Sequence, residues 1–247
     1  MRACFVVAAI VLARSPAFAD PDSALDTLAA RPLADRGFLV GTALTVPSGE
    51  LDASIRATAV GGLADAAIGL ARGTELWLEG GGASSDSTLA IGLKQVIARG
   101  GAWRLALEAS ARRLSEQGTS PYQPLGTLNF GPAISGSADT FGLAAIGSVC
   151  VNECRVFVSG GVAGAVMPGA GEQPSAALLY AWLAASAGTD RVRGLAEISA
   201  FPSADADMFG VIGVRATWRH VALEGGIGYA SIAGPIALPI IGLAYRP

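Results

Sequence analysis

The chain has 247 residues, is 51% hydrophobic and 15% charged, and carries a formal charge of −3. That charge gives no case for nucleic-acid binding. A mean hydropathy of +0.48 would suit membrane helices, yet beyond the N-terminus no stretch stays apolar for the roughly 18 residues a helical span needs.

Met1 to Ala19 reads as a secretory signal peptide. Arg2 gives the positive start, Ala3 to Ala13 the apolar run, and Ala17-Phe18-Ala19 a small-x-small cleavage site before Asp20. Loss of Arg2 and Arg14 takes the charge from −3 to −5. Asp20 stands where a lipoprotein would need Cys. Residues 20–36 read as a short polar segment in the periplasm. Within it Asp22 or Ser23 can cap a brief helix through Leu28, and Pro32 stops it. Residues 37–47 read as a first extended stretch ending in the turn signal Pro47-Ser48-Gly49.

From Leu51 onward side-chain character switches at every second position. Leu51-Ala53-Ile55-Ala57-Ala59 alternates with Asp52-Ser54-Arg56-Thr58, and Trp103-Leu105-Leu107-Ala109-Ala111 with Arg104-Glu108-Ser110-Arg112. Successive side chains of a strand point to opposite faces, so each segment is a strand with one apolar and one polar face. The pattern predicts strands at 51–60, 63–71, 74–82, 88–98, 102–112, 140–150, 154–166, 175–187, 191–201, 208–218, 221–231 and 237–246. The Ala-rich stretch 175–187 is the one equally compatible with helix, since Ala is the best helix former.

The connections alternate in length. Arg72-Gly73, Arg99-Gly100-Gly101, Val151-Asn152-Glu153, Thr189-Asp190 and Arg219-His220 are tight turns. Residues 83–87, 114–139, 167–174, 202–207 and 233–235 are longer, while the connection at Gly61-Gly62 is short for its place in the series. Outer-membrane barrels have short periplasmic turns and longer external loops, whereas a soluble β-sandwich has no reason to sort them. The expected fold is therefore all-β: a transmembrane antiparallel up-and-down β-barrel of about twelve strands over residues 37–247, in the cell outer membrane. Trp103, Trp218 and Tyr245 fall on the apolar face at the short-turn end, where they would form an interfacial girdle, and Tyr229 at the opposite rim.

The segment Thr42-Ala43-Leu44-Thr45-Val46-Pro47-Ser48-Gly49-Glu50-Leu51, followed by Gly-rich amphipathic hairpins, resembles the start of uncharacterised outer-membrane β-barrel proteins of Gram-negative bacteria. The resemblance implies outer-membrane lipid and the barrel assembly machinery as partners, and it brings no catalytic residues. Such barrels commonly end in an aromatic residue, whereas here Tyr245 is followed by Arg246 and Pro247.

On the polar face Arg56, Glu79, Lys94, Arg104, Glu108, Arg112, Arg155, Arg193, Glu197, Arg215 and Glu224 are expected to line the lumen, together with Asp52 and Glu75. A basic residue on the lipid face near the midplane costs about 2–4 kcal/mol. The other inward positions are mostly Gly, Ala, Ser and Thr, and about twelve strands enclose more room than eight. Some water-filled space is the expectation; a lumen plugged by salt bridges is the alternative. Cys150 and Cys154 flank a three-residue loop and are expected to sit opposite each other and form a disulfide in an oxidising compartment. Two Cys without a neighbouring His are not a zinc site, and no cofactor is implied. His220, the only histidine, falls in a tight turn and reads as solvated. The runs Gly80-Gly81-Gly82 and Gly160-Gly161 lack the Lys and helix of a phosphate loop and read as close-packing or bending points. The expected function is a non-enzymatic pore or transporter for small solutes, or a structural barrel. The alternative is a surface-interaction barrel that uses the 114–139 loop.

Overall fold

In a computed structural model the described residues are 24–34, 36–37, 40–59, 61–83, 86–116, 136–168, 176–200, 208–230 and 236–247. The signal-peptide region and most of the 114–139 loop lie outside them. A short helix α1 (Ala24–Ala29) precedes twelve strands: β1 (Leu51–Thr58), β2 (Gly62–Ala71), β3 (Thr74–Ala83), β4 (Asp86–Arg99), β5 (Trp103–Glu116), β6 (Gly136–Val151), β7 (Val156–Met167), β8 (Ala176–Gly188), β9 (Val192–Ala200), β10 (Met208–Trp218), β11 (Val221–Ala230) and β12 (Ile236–Tyr245).

Each strand pairs antiparallel with its sequence neighbours, and β1 pairs with β12 from Ala53↔Tyr245 to Thr58↔Ile240, which closes the barrel. Closure matters because every wall strand then has a backbone partner on both sides, with no open edge left in hydrocarbon. The same ladders settle β8. Its alanines form a strand because β7 and β9 flank it, from Val156↔Ala187 and Gly188↔Arg193. No helix among the described residues is long and apolar enough to cross a membrane. The wall follows the expected register, except that β5 and β6 each run about four residues further toward the long-loop end than the alternation predicts.

Burial alternates as the period of two requires. Along β9 it reads exposed at every odd step and buried at every even one. The exposed set is apolar and covers the outer wall: Ile55, Leu89, Leu143, Ile212 and Ile241 are each about 60% exposed or more. Trp103, Trp218 and Tyr245 lie on this outer face at the short-turn end. Trp77 and Trp182 face inward and are buried.

Two expectations need correction. The disulfide Cys150–Cys154 is present, with Cα atoms 4.5 Å apart, but the cysteines are not cross-strand partners. Cys150 pairs with Phe157 in the ladder, and Cys154 sits in the turn. Asn152, Glu153 and Cys154 all have left-handed φ of 54–62°, and this coil brings Cys154 back beside Cys150. Residues 37–47 are not part of the wall either. Among the described residues the bridges here are isolated ones, Arg36↔Gly41 and, just past the stretch, Ser48↔Gly69.

Candidate functional site

Residues 24–47, expected as a periplasmic segment up to 36 and a first extended stretch of the barrel from 37, pack inside the wall. The segment enters at the short-turn end, rises into the lumen to Arg36 and Gly37, and returns to the same rim at Pro47. Local chemistry shapes the path. α1 closes with Ala30 N–H donating to the Asp26 carbonyl, Pro32 ends it, and Leu33 takes a left-handed φ of 61° that turns the chain. On the way out Pro47 crosses Gly69 of β2 so closely that a Cβ there would stand 2.0 Å from the Pro47 oxygen. Only glycine allows that crossing.

Apolar side chains of the segment seat on separate parts of the wall. Leu25 and Leu28 pack against Cys150, Cys154 and Phe157. Leu33 meets Ala222 and Ala244. Val40 and Ala43 meet Ala106, Ile146 and Trp182, and Val46 meets Trp77 and Ala90. These contacts explain the small inward residues. A Cβ on Gly92 would fall 2.3 Å from the Trp77 ring, and one on Gly161 2.4 Å from that of Trp182. The small positions make room for indoles and for the segment.

Inward polar groups hold the segment's backbone. Leu33 N–H donates to Asp52 Oδ2 at 2.8 Å, Ala43 N–H to Ser148 Oγ at 2.8 Å, and Val46 N–H to Glu75 Oε2 at 2.8 Å. In the other direction Arg215 donates to the Leu33 carbonyl at 2.7 Å and the Gly37 carbonyl at 2.9 Å. Arg246 donates to the Ala29 carbonyl at 2.7 Å, and Trp182 Nε1 to the Gly41 carbonyl at 3.2 Å. The donors and acceptors come from β1, β3, β6, β8 and β10 and from the residue after β12, so the segment is gripped from all round the wall. A buried irregular chain needs such partners, because an unpaired peptide group in low dielectric costs about as much as a lost hydrogen bond.

Beneath these contacts runs a chain of ion pairs. Glu224 accepts from Arg215 at 2.7 Å and from Arg56 at 3.0 Å. Arg56 also reaches Asp65 at 2.9 Å, and Asp65 takes the segment's own Arg36 at 3.0 Å. Lys94 pairs with Glu75 at 3.0 Å, Arg246 with Asp52 at 2.6 Å, and Arg104 with Asp26 of α1. Nearer the long-loop end Arg112 pairs with Glu79 at 3.3 Å. Buried charges persist only when paired this closely.

Of the eleven residues expected to line the lumen, Arg56, Lys94, Arg104, Arg193, Glu197, Arg215 and Glu224 are inward and buried. Glu79, Glu108 and Arg112 are inward and partly buried. Arg155 is not a lumen residue. It lies exposed in the β6–β7 turn, because the left-handed coil shifts the start of β7 to Val156. Of the ten inward residues, Arg215 and Arg104 bond the segment directly, Arg215 through the Leu33, Arg36 and Gly37 carbonyls and Arg104 through Asp26. Beside the segment one cavity of about 30 Å³ is bordered by Leu28, Gly37, Arg193 and Glu197, room for roughly two waters. Asp26, Arg36, Asp65, Ser148 and Arg246 belong to the same assembly and were not singled out by the sequence. Asp65 was readable, as the polar position within Leu63-Ala64-Asp65-Ala66-Ala67; Arg36 carried no periodic signal.

At the rim, Arg31 donates to the Asp190 carbonyl at 2.9 Å and pairs with its carboxylate at 2.8 Å. The hydrogen bond and charge of Arg31 hold the Asp190 carboxyl below its ordinary range. His220 Nδ1 stands 2.8 Å from the Arg246 carbonyl oxygen, in the turn where the sequence put it. Among the described residues there is no group of three or more His, Cys, Asp and Glu that could hold a metal.

No family model and no curated protein matches the sequence. Solved structures do match the fold. The KdgM porin in complex with disordered oligogalacturonate aligns with a TM-score of 0.58 at 9% identity, over 79% of this chain and 98% of that one. The NanC porin gives 0.55 at 6% identity, over 79% and 98%. The translocator domain of the autotransporter NalP from Neisseria meningitidis gives 0.51 at 11% identity, over 79% and 87%. The shared architecture is that of outer-membrane β-barrels.

Proposed function

We propose that this chain is an outer-membrane barrel for the passage of small solutes, held shut from the periplasmic side by its own residues 24–47. The observation that carries the reading is the two-sided grip on that segment: wall acids and Ser148 take its N–H groups, while Arg215 and Arg246 take its carbonyls. The segment is continuous with β1 and with no other strand, so it can leave the lumen without breaking a single wall ladder. The porin-type fold supports solute passage as the barrel's use. Met1 to Ala19 would direct export, the apolar outer wall would face outer-membrane lipid, and the strands would be inserted by the barrel assembly machinery. The reading is non-enzymatic.

Conductance in planar bilayers tests it. The full mature protein should be nearly silent with rare openings. A variant lacking residues 20–47 should show large, stable steps while still shifting on unheated gels as a folded barrel. A folded deletion variant that stays silent would sink the solute-passage reading and leave a structural barrel.

A further inference from the structure

Arginines recur at the turns of one end of this molecule, Arg72, Arg155, Arg191 and Arg219 exposed and Arg99 partly so. Each of the five hairpin turns at this end carries or adjoins an arginine: Arg72 after β2, Arg99 at the end of β4, Arg155 before β7, Arg191 before β9 and Arg219 after β10. Together they form a ring of guanidinium groups around one rim of the barrel. Each stands within two residues of an outward apolar side chain, namely Leu70, Ile97, Val156, Val192 and Trp218, all at least 38% exposed. The outward Trp103 and Tyr245 share that rim. At the opposite end the exposed Arg113 stands 3.9 Å from Asp139; at this rim Asp190, next to Arg191, is taken by Arg31 of the segment. The chain's single lysine, Lys94, is buried in the lumen, so the positive charge of this rim is carried by guanidinium groups.

We infer that this ring is a binding surface for the phosphate headgroups of anionic phospholipids in the leaflet that meets the short turns. Three arguments converge. Guanidinium groups present a planar fork that matches two phosphate oxygens, where an ammonium offers a point charge. Long basic side chains beside an apolar belt reach along it to the headgroup level. Aromatic rings on the same rim mark the depth at which headgroups lie. An acidic polypeptide would also suit the charge, but it would have no use for an arginine spaced at every hairpin around the whole circumference, each beside a lipid-facing side chain. The inference rests on the membrane reading above and specifies which lipid that membrane offers at this rim.

The four tryptophans supply a reporter. Trp103 and Trp218 face outward at the ring, whereas Trp77 and Trp182 are buried in the lumen. Brominated lipids therefore quench the rim pair selectively. The protein is refolded into phosphatidylcholine vesicles containing a minor share of brominated phosphatidylglycerol, or the same share of brominated phosphatidylcholine. The ring predicts quenching by the brominated phosphatidylglycerol as if it were enriched about five-fold, the factor that follows from the attraction of one arginine to an anionic surface. The excess should fall with salt and vanish in the variant R72Q/R99Q/R155Q/R191Q/R219Q. If that variant does not fold, the paired variants R72Q/R99Q and R191Q/R219Q should each lose part of the excess. Equal quenching by the two brominated lipids in folded wild-type protein would overturn the ring and leave it to a polypeptide partner. Absence of quenching even in fully brominated phosphatidylcholine would instead overturn the membrane reading.

Discussion

Arg215→Met separates the grip on the segment from the integrity of the wall. The side chain is 8% exposed and makes two kinds of contact. One is the ion pair with Glu224, which is fully buried and keeps its second partner Arg56 at 3.0 Å after the change. That loss weakens the folded barrel whether or not the segment is seated. The other kind is the set of bonds to segment carbonyls, Leu33 at 2.7 Å, Gly37 at 2.9 Å and the longer one to Arg36 at 3.2 Å, which exist only in the seated form. A hydrogen bond from a charged group contributes about 1.5–3 kcal/mol, so taking the lower value for the two shorter bonds alone gives about 3 kcal/mol. At about 1.4 kcal/mol per decade this moves the seating equilibrium about a hundred-fold toward the open form. The wall ladders of β10 to β9 and β11 are backbone bonds and stay in place. Unheated gels should therefore still show a folded barrel. Channel openings should become about a hundred times more frequent, and the amides of Leu33, Ala43 and Val46 should exchange faster with solvent. Arg215→Lys, which keeps the charge and loses the fork, should fall between. If Arg215→Met folds and leaves both opening frequency and amide protection at wild-type values, the segment is not held by these contacts and the reasoning fails.

Leu107 is 41% exposed on the outer wall, so Leu107→Arg places a charge in hydrocarbon at about 2–4 kcal/mol and should cut the yield of heat-modifiable barrel. Glu108→Gln points the other way and should assemble normally; it should shift ion selectivity toward anions in the variant lacking residues 20–47 but not in the intact, silent protein. Replacing Cys150 and Cys154 by Ser opens a loop of sequence separation 4 and should lower stability in urea by about 2 kcal/mol, with earlier exposure of Leu25 and Leu28, which rest on the sulfurs; free thiols in exported wild-type protein would contradict the bond. Asp190 has its carboxyl held down by Arg31, so its contribution is present above the ordinary Asp range and is lost as pH falls through the lowered pKa. Asp190 is largely exposed, so Asp190→Asn should remove no more than about 1 kcal/mol at neutral pH, and the mutant and wild type should converge in acid denaturation curves.

The wall was legible because its signal is local. Whether Leu105 faces out and Arg104 in depends on a period of two that any short window contains, and closure follows once enough such strands exist with alternating connections. The brief helix ending near Leu28 and its stop at Pro32 were readable for the same reason. The occupant of the lumen was not. Leu33 finds Asp52, Arg36 finds Asp65, and Arg246 finds Ala29 across 19, 29 and 217 residues of sequence, and no periodicity relates them. Small inward residues such as Gly92 and Gly161 are equally consistent with water and with a ring packed against them, so composition alone leaned toward an open lumen. Arg155 failed for a related reason: its alternating place in the sequence was cancelled by three successive left-handed residues and a disulfide that moved the start of β7. The sequence by itself determined which side chains face lipid and which face inward, because that is fixed by backbone geometry. Only the tertiary structure decided what the inward charges do, because a buried charge takes its role from whichever group stands opposite it across the barrel.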